Sequence, residues 1–211
     1  MPEELDLKSL EKKAYRSLFE DGLWDLFIGM IILSMGVSIS LSSLDNLPEV
    51  WIIFLPVVLL NTIAFFIFYL GKKFITIPRI GFVKFGPKRK SKQLKLKLFL
   101  VAFFILNLVI FILPFTGIIS NIQLEPLLMS LLLGIGFFTL PFCVVAYFLD
   151  FTRLYYYGFL AGIGLFLTQI LTPMVGSPMV GFITFGSFGV LIILIGLYYF
   201  IQFLKKYPLS K

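Results

Sequence analysis

Apolar residues along the chain gather into six long, nearly uninterrupted runs, at roughly 23–41, 50–70, 97–119, 127–148, 154–171 and 181–204. At about 1.5 Å of rise per residue, runs of about 18 residues or more cross a hydrocarbon core of about 30 Å. The pattern predicts an all-α, polytopic integral membrane protein with six transmembrane helices. It divides the chain into an N-terminal segment 1–22, a helical hairpin 23–70, a polar loop 71–96, spans three to six over 97–204, and a tail 205–211.

The polar segments have patterns of their own. Over 3–21, Leu7, Leu10, Ala14 and Leu18 recur at helical spacing, while Lys8, Glu11, Lys12 and Arg16 fall mostly off that stripe. This predicts an amphipathic helix lying in the headgroup plane, with its lysines reaching for phosphates. In the loop 71–96, β-branched and aromatic residues surround Pro78-Arg79-Ile80-Gly81. Proline suits the second position of a turn and glycine its exit, so a short hairpin or extended excursion is expected there. The basic cluster Lys88-Arg89-Lys90-Ser91-Lys92 follows and leads into span three.

Charge orients the helices. All 18 lysines and arginines fall in the N-terminal segment, the loop after span two, the turn after span four and the tail. The three remaining loops carry only Asp45, Glu49 and Glu125. By the positive-inside rule both termini and the basic loop are cytoplasmic, in a multi-pass protein of the cell (plasma) membrane. Mean hydropathy of +1.01 agrees with so much membrane-embedded chain. The formal net charge of +7 follows from that asymmetry, so anionic lipid headgroups, and no nucleic acid, are the expected partners. Residues 1–22 carry charges of both signs and no small-residue cleavage site follows the first apolar run, so span one is expected to be an uncleaved helix and not a signal peptide. The single cysteine, Cys143, excludes a disulfide framework, and the absence of histidine removes the commonest metal ligand and general base.

Candidate chemistry concentrates at the start of span one. On a helix Gly22, Asp25, Gly29 and Gly36 share one face, and glycines there permit close approach of another helix. Asp25 then points at protein about one turn inside the membrane, where a carboxylate needs a partner or a function. Arg153 is expected at the same depth, so a structural ion pair and a proton-linked acid are both open. Asn61 and Asn107 stand near mid-bilayer at similar depth and could share an interhelical hydrogen bond. Pro56, Pro114 and Pro141 interrupt three spans. Arg79, Lys84, Lys88, Arg89, Lys90 and Lys92 are the expected contacts to lipid or a partner. Paired catalytic carboxylates, metal-ligand spacing, a nucleophile elbow and a phosphate loop are all missing, so neither an enzyme, a metal nor a cofactor is expected.

Two stretches, Glu20-Asp21-Gly22-Leu23-Trp24-Asp25 with Gly29, and Pro78-Arg79-Ile80-Gly81-Phe82-Val83-Lys84-Phe85, carry a resemblance. They resemble uncharacterised prokaryotic multi-span membrane proteins with an EDGL-x-D approach to the first helix and a PR-x-G-x-VK loop. The resemblance implies no activity, and it singles out two segments on the same side. The expected function is a non-enzymatic scaffold or regulatory subunit presenting a basic cytoplasmic face to lipid or to a membrane or cytosolic protein partner, with a homo-oligomer left open. The alternative is a small permease with a cavity among proline-kinked spans.

Overall fold

Among the described residues six helices are long and apolar enough to cross a membrane, and there is no strand. The computed structural model describes residues 15, 19–42, 49–80, 87–112 and 125–208. Helix α1 is Leu23–Leu41. Helix α2 begins as Glu49–Gly71, widens into a π-helical stretch Lys72–Thr76 and ends as Ile77–Ile80. Helix α3 is Pro87–Ile112. Helix α4 comprises Pro126–Leu133, a π-helical stretch Gly134–Thr139 and Leu140–Leu149. Helix α5 is Arg153–Val175, and α6 comprises Ser177–Gly181, the π-helical Phe182–Gly186 and Ser187–Lys206.

The chain forms two compact units, one drawn from residues 1–84 and 170–211 and the other from 85–169. In the first, α1 is the central helix. Half of its most apolar window is buried, against 11% for α2. Its packing against α6 is made by glycines on both sides. A Cβ at Gly29 would stand 2.8 Å from Ile193 Cγ1, and one at Gly189 would stand 2.6 Å from Leu33 N. Gly36 meets the backbone of Gly181 and Gly186, and Gly22 meets that of Gly196. Lipid offers no hydrophobic gain for helix association, so backbone approach of this kind supplies the van der Waals contact that holds the pair. The outward faces of α2 and α6, with Phe54, Leu55, Val58, Leu194 and Ile201 exposed, are apolar as a lipid-facing surface requires.

The second unit contains α3, α4 and most of α5. Gly158 abuts Phe142, and Gly134 abuts Gly162. Thr139 Oγ1 donates to the carbonyl of Gly158 at 3.2 Å, joining α4 to α5. The turn between them is tight: Asp150 adopts a left-handed conformation (φ 54°), and Phe151 N donates to Ala146 O at 3.0 Å. That geometry ends α4 in the manner of a left-handed C-cap.

The segment 71–96 differs from expectation. Residues 72–80 continue α2 and residues 87–96 are the first turns of α3, so the hairpin anticipated around Pro78 is helix up to Ile80. The reason lies in the turn before the proline. Ile77 N reaches back to Lys72 O, one residue farther than in an α-helix. A proline ring crowds the carbonyl four residues earlier, and a widened turn relieves that clash. The same device recurs in α4, where Leu140 N donates to Ile135 O immediately before Pro141. Pro56 lies inside Glu49–Gly71 without such a stretch. Helix α5 likewise runs past Pro173 to Val175, four residues beyond the expected end, and stops at Gly176 (φ 84°). The amphipathic helix anticipated over 3–21 lies outside the described residues save for Tyr15 and 19–21, and so do Lys84, Gly81 and Pro114.

Candidate functional site

Positions Glu20 to Leu23 of the Glu20-Asp21-Gly22-Leu23-x-Asp25 motif each have a contact that accounts for them. Gly22 turns the chain into α1 with φ 71°, a conformation that disfavours a side chain, and a Cβ would run into Gly196 of α6. The turn drives Asp21 inward, where it is fully buried. Its Oδ2 accepts from Lys72 Nζ at 2.6 Å and from Thr76 Oγ1 at 2.7 Å, both in the π-helical stretch of α2. Its Oδ1 accepts from Leu23 N at 3.3 Å, a weak cap on the first turn of α1. Leu23 seats against Gly71, whose absent side chain makes the room. Asp25, one turn farther along, is also fully buried, and a Cβ at Gly196 would lie 3.1 Å from its Cβ.

Two further ties close a ring around this end of the three-helix unit. Arg79 Nη1 donates to the carbonyl of Tyr207 at 3.1 Å, with a longer contact to that of Leu204 at 3.4 Å. It therefore satisfies the carbonyls that the end of α6 leaves without intrahelical partners. Lys206 pairs with Glu20 at 3.3 Å. Thus α1 is joined to α2 through Asp21, α2 to α6 through Arg79, and α6 to α1 through Lys206. Trp24 and Phe68 stack edge-on with centroids 4.7 Å apart, and Lys72 Nζ sits 5.8 Å from the Phe68 ring centre. The aromatic wall shields the Asp21–Lys72 pair from one side, which strengthens its electrostatic attraction.

The expected site residues are distributed as follows. Gly22, Gly29 and Gly36 all face α6, with Asp25 among them. Arg153 belongs to the second unit, where its guanidinium lies 5.1 Å from the Phe151 ring centre. Asn61 Nδ2 reaches Ser34 Oγ of α1 at 3.5 Å, whereas Asn107 Nδ2 donates to Phe103 O of its own helix at 2.6 Å. Each carboxamide therefore has a partner other than the second asparagine. Among the expected lipid contacts, Arg79 is committed to α6 and Arg89 to Asp150, at 2.6 Å and with the arginine buried. Lys92 lies 3.9 Å from the same carboxylate and over the Tyr147 ring. Lys90 is exposed, as are Lys73, Lys95 and Lys97 outside the expected set.

Asp21, Lys72 and Thr76 were not among the candidates. A signal for them was present in Thr76-x-Pro78 and Thr139-x-Pro141. In both, a π-helical stretch runs up to the threonine, whose hydroxyl reaches another segment: Asp21 just ahead of α1, or Gly158 of α5. Among the described residues no three His, Cys, Asp or Glu side chains gather to hold a metal. What the arrangement does chemically is neutralise charge at a helix junction: a carboxylate, an ammonium and a hydroxyl saturate one another. No family model, curated protein or solved structure matches the chain.

Proposed function

We propose that the protein is a non-enzymatic scaffold or regulatory subunit of the plasma membrane, with both termini in the cytoplasm and a basic face turned to anionic lipid. The observation that carries this reading is the division of labour among the basic residues. Arg79, Arg89 and Lys72 are consumed by internal ties, while Lys73, Lys90, Lys95 and Lys97 project outward beside the ends of apolar helices. Exposed ammonium groups at that position suit phosphate headgroups, at about 1 kcal/mol each near a charged surface. The positive-inside distribution of all 18 basic residues supports the orientation. The test is reconstitution of the protein with Lys90, Lys92, Lys95 and Lys97 changed to Gln. Reduced enrichment of phosphatidylglycerol around the variant, relative to the parent protein, is expected. Unchanged enrichment would overturn the reading. A protein recovered with the parent but not with this variant would instead make the basic face a protein-docking surface.

A second reading, a small permease, is favoured by one observation: Asp25 is fully buried in the first turn of α1, and buried carboxylates in membrane helices serve proton coupling in transporters. A pH-dependent flux in proteoliposomes that disappears in Asp25→Asn would establish it.

A further inference from the structure

The C-terminal end of α6 forms a groove of about 590 Å³, lined chiefly by Glu20, Tyr199, Gln202, Lys205, Lys206 and Tyr207. We propose that this groove is a discrete binding site for the headgroup of one anionic phospholipid, with the phosphate held between the Lys205 and Lys206 ammonium groups. The inference rests on the reading that this end of the helix faces the cytoplasmic leaflet, and it names a site separate from the exposed lysines of α3.

Three features distinguish the groove from an ordinary lysine-bearing helix end. The first is the fate of the end carbonyls. A helix C-terminus repels anions, because its unsatisfied carbonyls carry partial negative charge. Here the Arg79 guanidinium covers those of Leu204 and Tyr207, so the repulsion is offset. The second is the state of the lysines. Lys205 is exposed, and Lys206 lies over the Tyr207 ring and pairs with Glu20, the side chains of that pair being 63% and 48% exposed. An exposed pair of that kind contributes little to stability, so a phosphate can displace the carboxylate at small cost. The third is what leads into the groove. Leu191, Leu194, Tyr198, Gln202 and Lys205 follow one another at spacings of three and four and are all exposed. They form a stripe about 21 Å long at 1.5 Å per residue, apolar over its first turns and polar at the groove. An acyl chain on the stripe and a phosphate on the lysines are one amphipathic ligand. Tyr207 and Tyr199 line the groove, and phenol rings favour the membrane interface.

The test measures thermal unfolding of the full chain in neutral detergent, with phosphatidylglycerol, phosphatidylcholine or inorganic phosphate added, beside native mass spectrometry of retained lipid. Phosphatidylglycerol is expected to raise the midpoint and remain bound at one per chain, whereas phosphatidylcholine and inorganic phosphate leave it unchanged. Lys205→Gln with Lys206→Gln should weaken that site at least tenfold. Glu20→Gln, which removes the competing carboxylate, should tighten it. Lys90→Gln with Lys95→Gln, the α3 lysines, should leave the single tight site intact while reducing the looser enrichment. Equal stabilisation by inorganic phosphate, by phosphatidylcholine, or of the Lys205/Lys206 variant would overturn the assignment. If that variant does not fold, an unchanged affinity in Glu20→Gln overturns it by itself. Loss of the tight site through the α3 changes alone would sink the groove but leave the broader lipid reading standing.

Discussion

Lys72 Nζ and Asp21 Oδ2 lie 2.6 Å apart, although 51 positions separate the two residues in the chain. The contact locks the turn into α1 against the widened turn of α2. The carboxylate is fully buried, and Thr76 supplies a second donor to the same oxygen. Removing one partner of a buried pair leaves an uncompensated charge and costs about 3–5 kcal/mol. Asp21→Asn should therefore lower the unfolding midpoint in detergent strongly, and Lys72→Met nearly as much. The double change Asp21→Asn with Lys72→Met should recover most of the loss, because no charge is then stranded. Thr76→Val should cost about 1 kcal/mol, the net worth of one hydrogen bond. Midpoints measured by heating the four variants check all of these, and an additive double variant would mean the pair is not coupled.

Two glycines, Gly189 on the face packed against α1 and Gly136 in α4, carry opposite predictions. At Gly189 an added Cβ would meet Leu33 backbone and side chain at 2.6–2.8 Å, whereas at Gly136 nothing lies within 4 Å. Gly189→Leu should force α1 and α6 apart and destabilise the protein by at least about 1–3 kcal/mol, the usual range for overpacking. Gly136→Ala should instead stabilise it by about 0.4–1 kcal/mol, through reduced freedom of the unfolded chain. The comparison needs only two melting curves, and a matching loss in both variants would refute the packing assignment.

Arg89 and Lys90 are neighbours in sequence with different tasks. Arg89 is buried on Asp150, the left-handed residue that turns α4 into α5, while Lys90 is exposed. Arg89→Gln should cost about 1.5–3 kcal/mol, as loss of a charged hydrogen bond does. Lys90→Gln should stay within about 0.5 kcal/mol, the range for surface substitutions. Limited proteolysis at the α4–α5 turn should accelerate only in the Arg89 variant.

Much of the fold was legible in the chain because membrane physics leaves few options: a run of apolar residues long enough to cross must be helical. The face shared by Gly22, Gly29 and Gly36 was legible for a similar reason, since spacing alone puts residues on one side of a helix. The ring around Asp21 was not. Its members come from three helices, and sequence spacing carries no information about which helix ends converge. Lys72 and Arg79 looked like topogenic charge, and only packing shows that both point inward. Pro78 misled in a specific way. It is a turn former in the open, but a widened helical turn before it accommodates the ring, and Thr76 uses the resulting geometry to reach Asp21. Arg89 was misjudged because a basic cluster reads as one surface, whereas on a helix one member in three or four faces inward.

Asp25 offers the sharpest division between the structural and proton-linked readings. It is fully buried, and a Cβ at Gly196 would already stand 3.1 Å from its own Cβ. Asn has the same shape as Asp, so Asp25→Asn introduces no steric conflict and removes only the charge. If the carboxylate serves structure, its loss removes a negative charge that acts on Lys72 beside that of Asp21, and the variant should melt at a lower temperature. Asp25→Glu should melt lower still, because an extra methylene at a fully buried position overpacks its surroundings. If the carboxylate carries protons, Asp25→Asn should fold as well as the parent protein and lose a pH-dependent flux, with Asp25→Glu retaining part of it. Melting curves and proteoliposome flux on the same two variants separate these outcomes. An unchanged midpoint in both variants, with no flux in the parent protein, would remove Asp25 from either role.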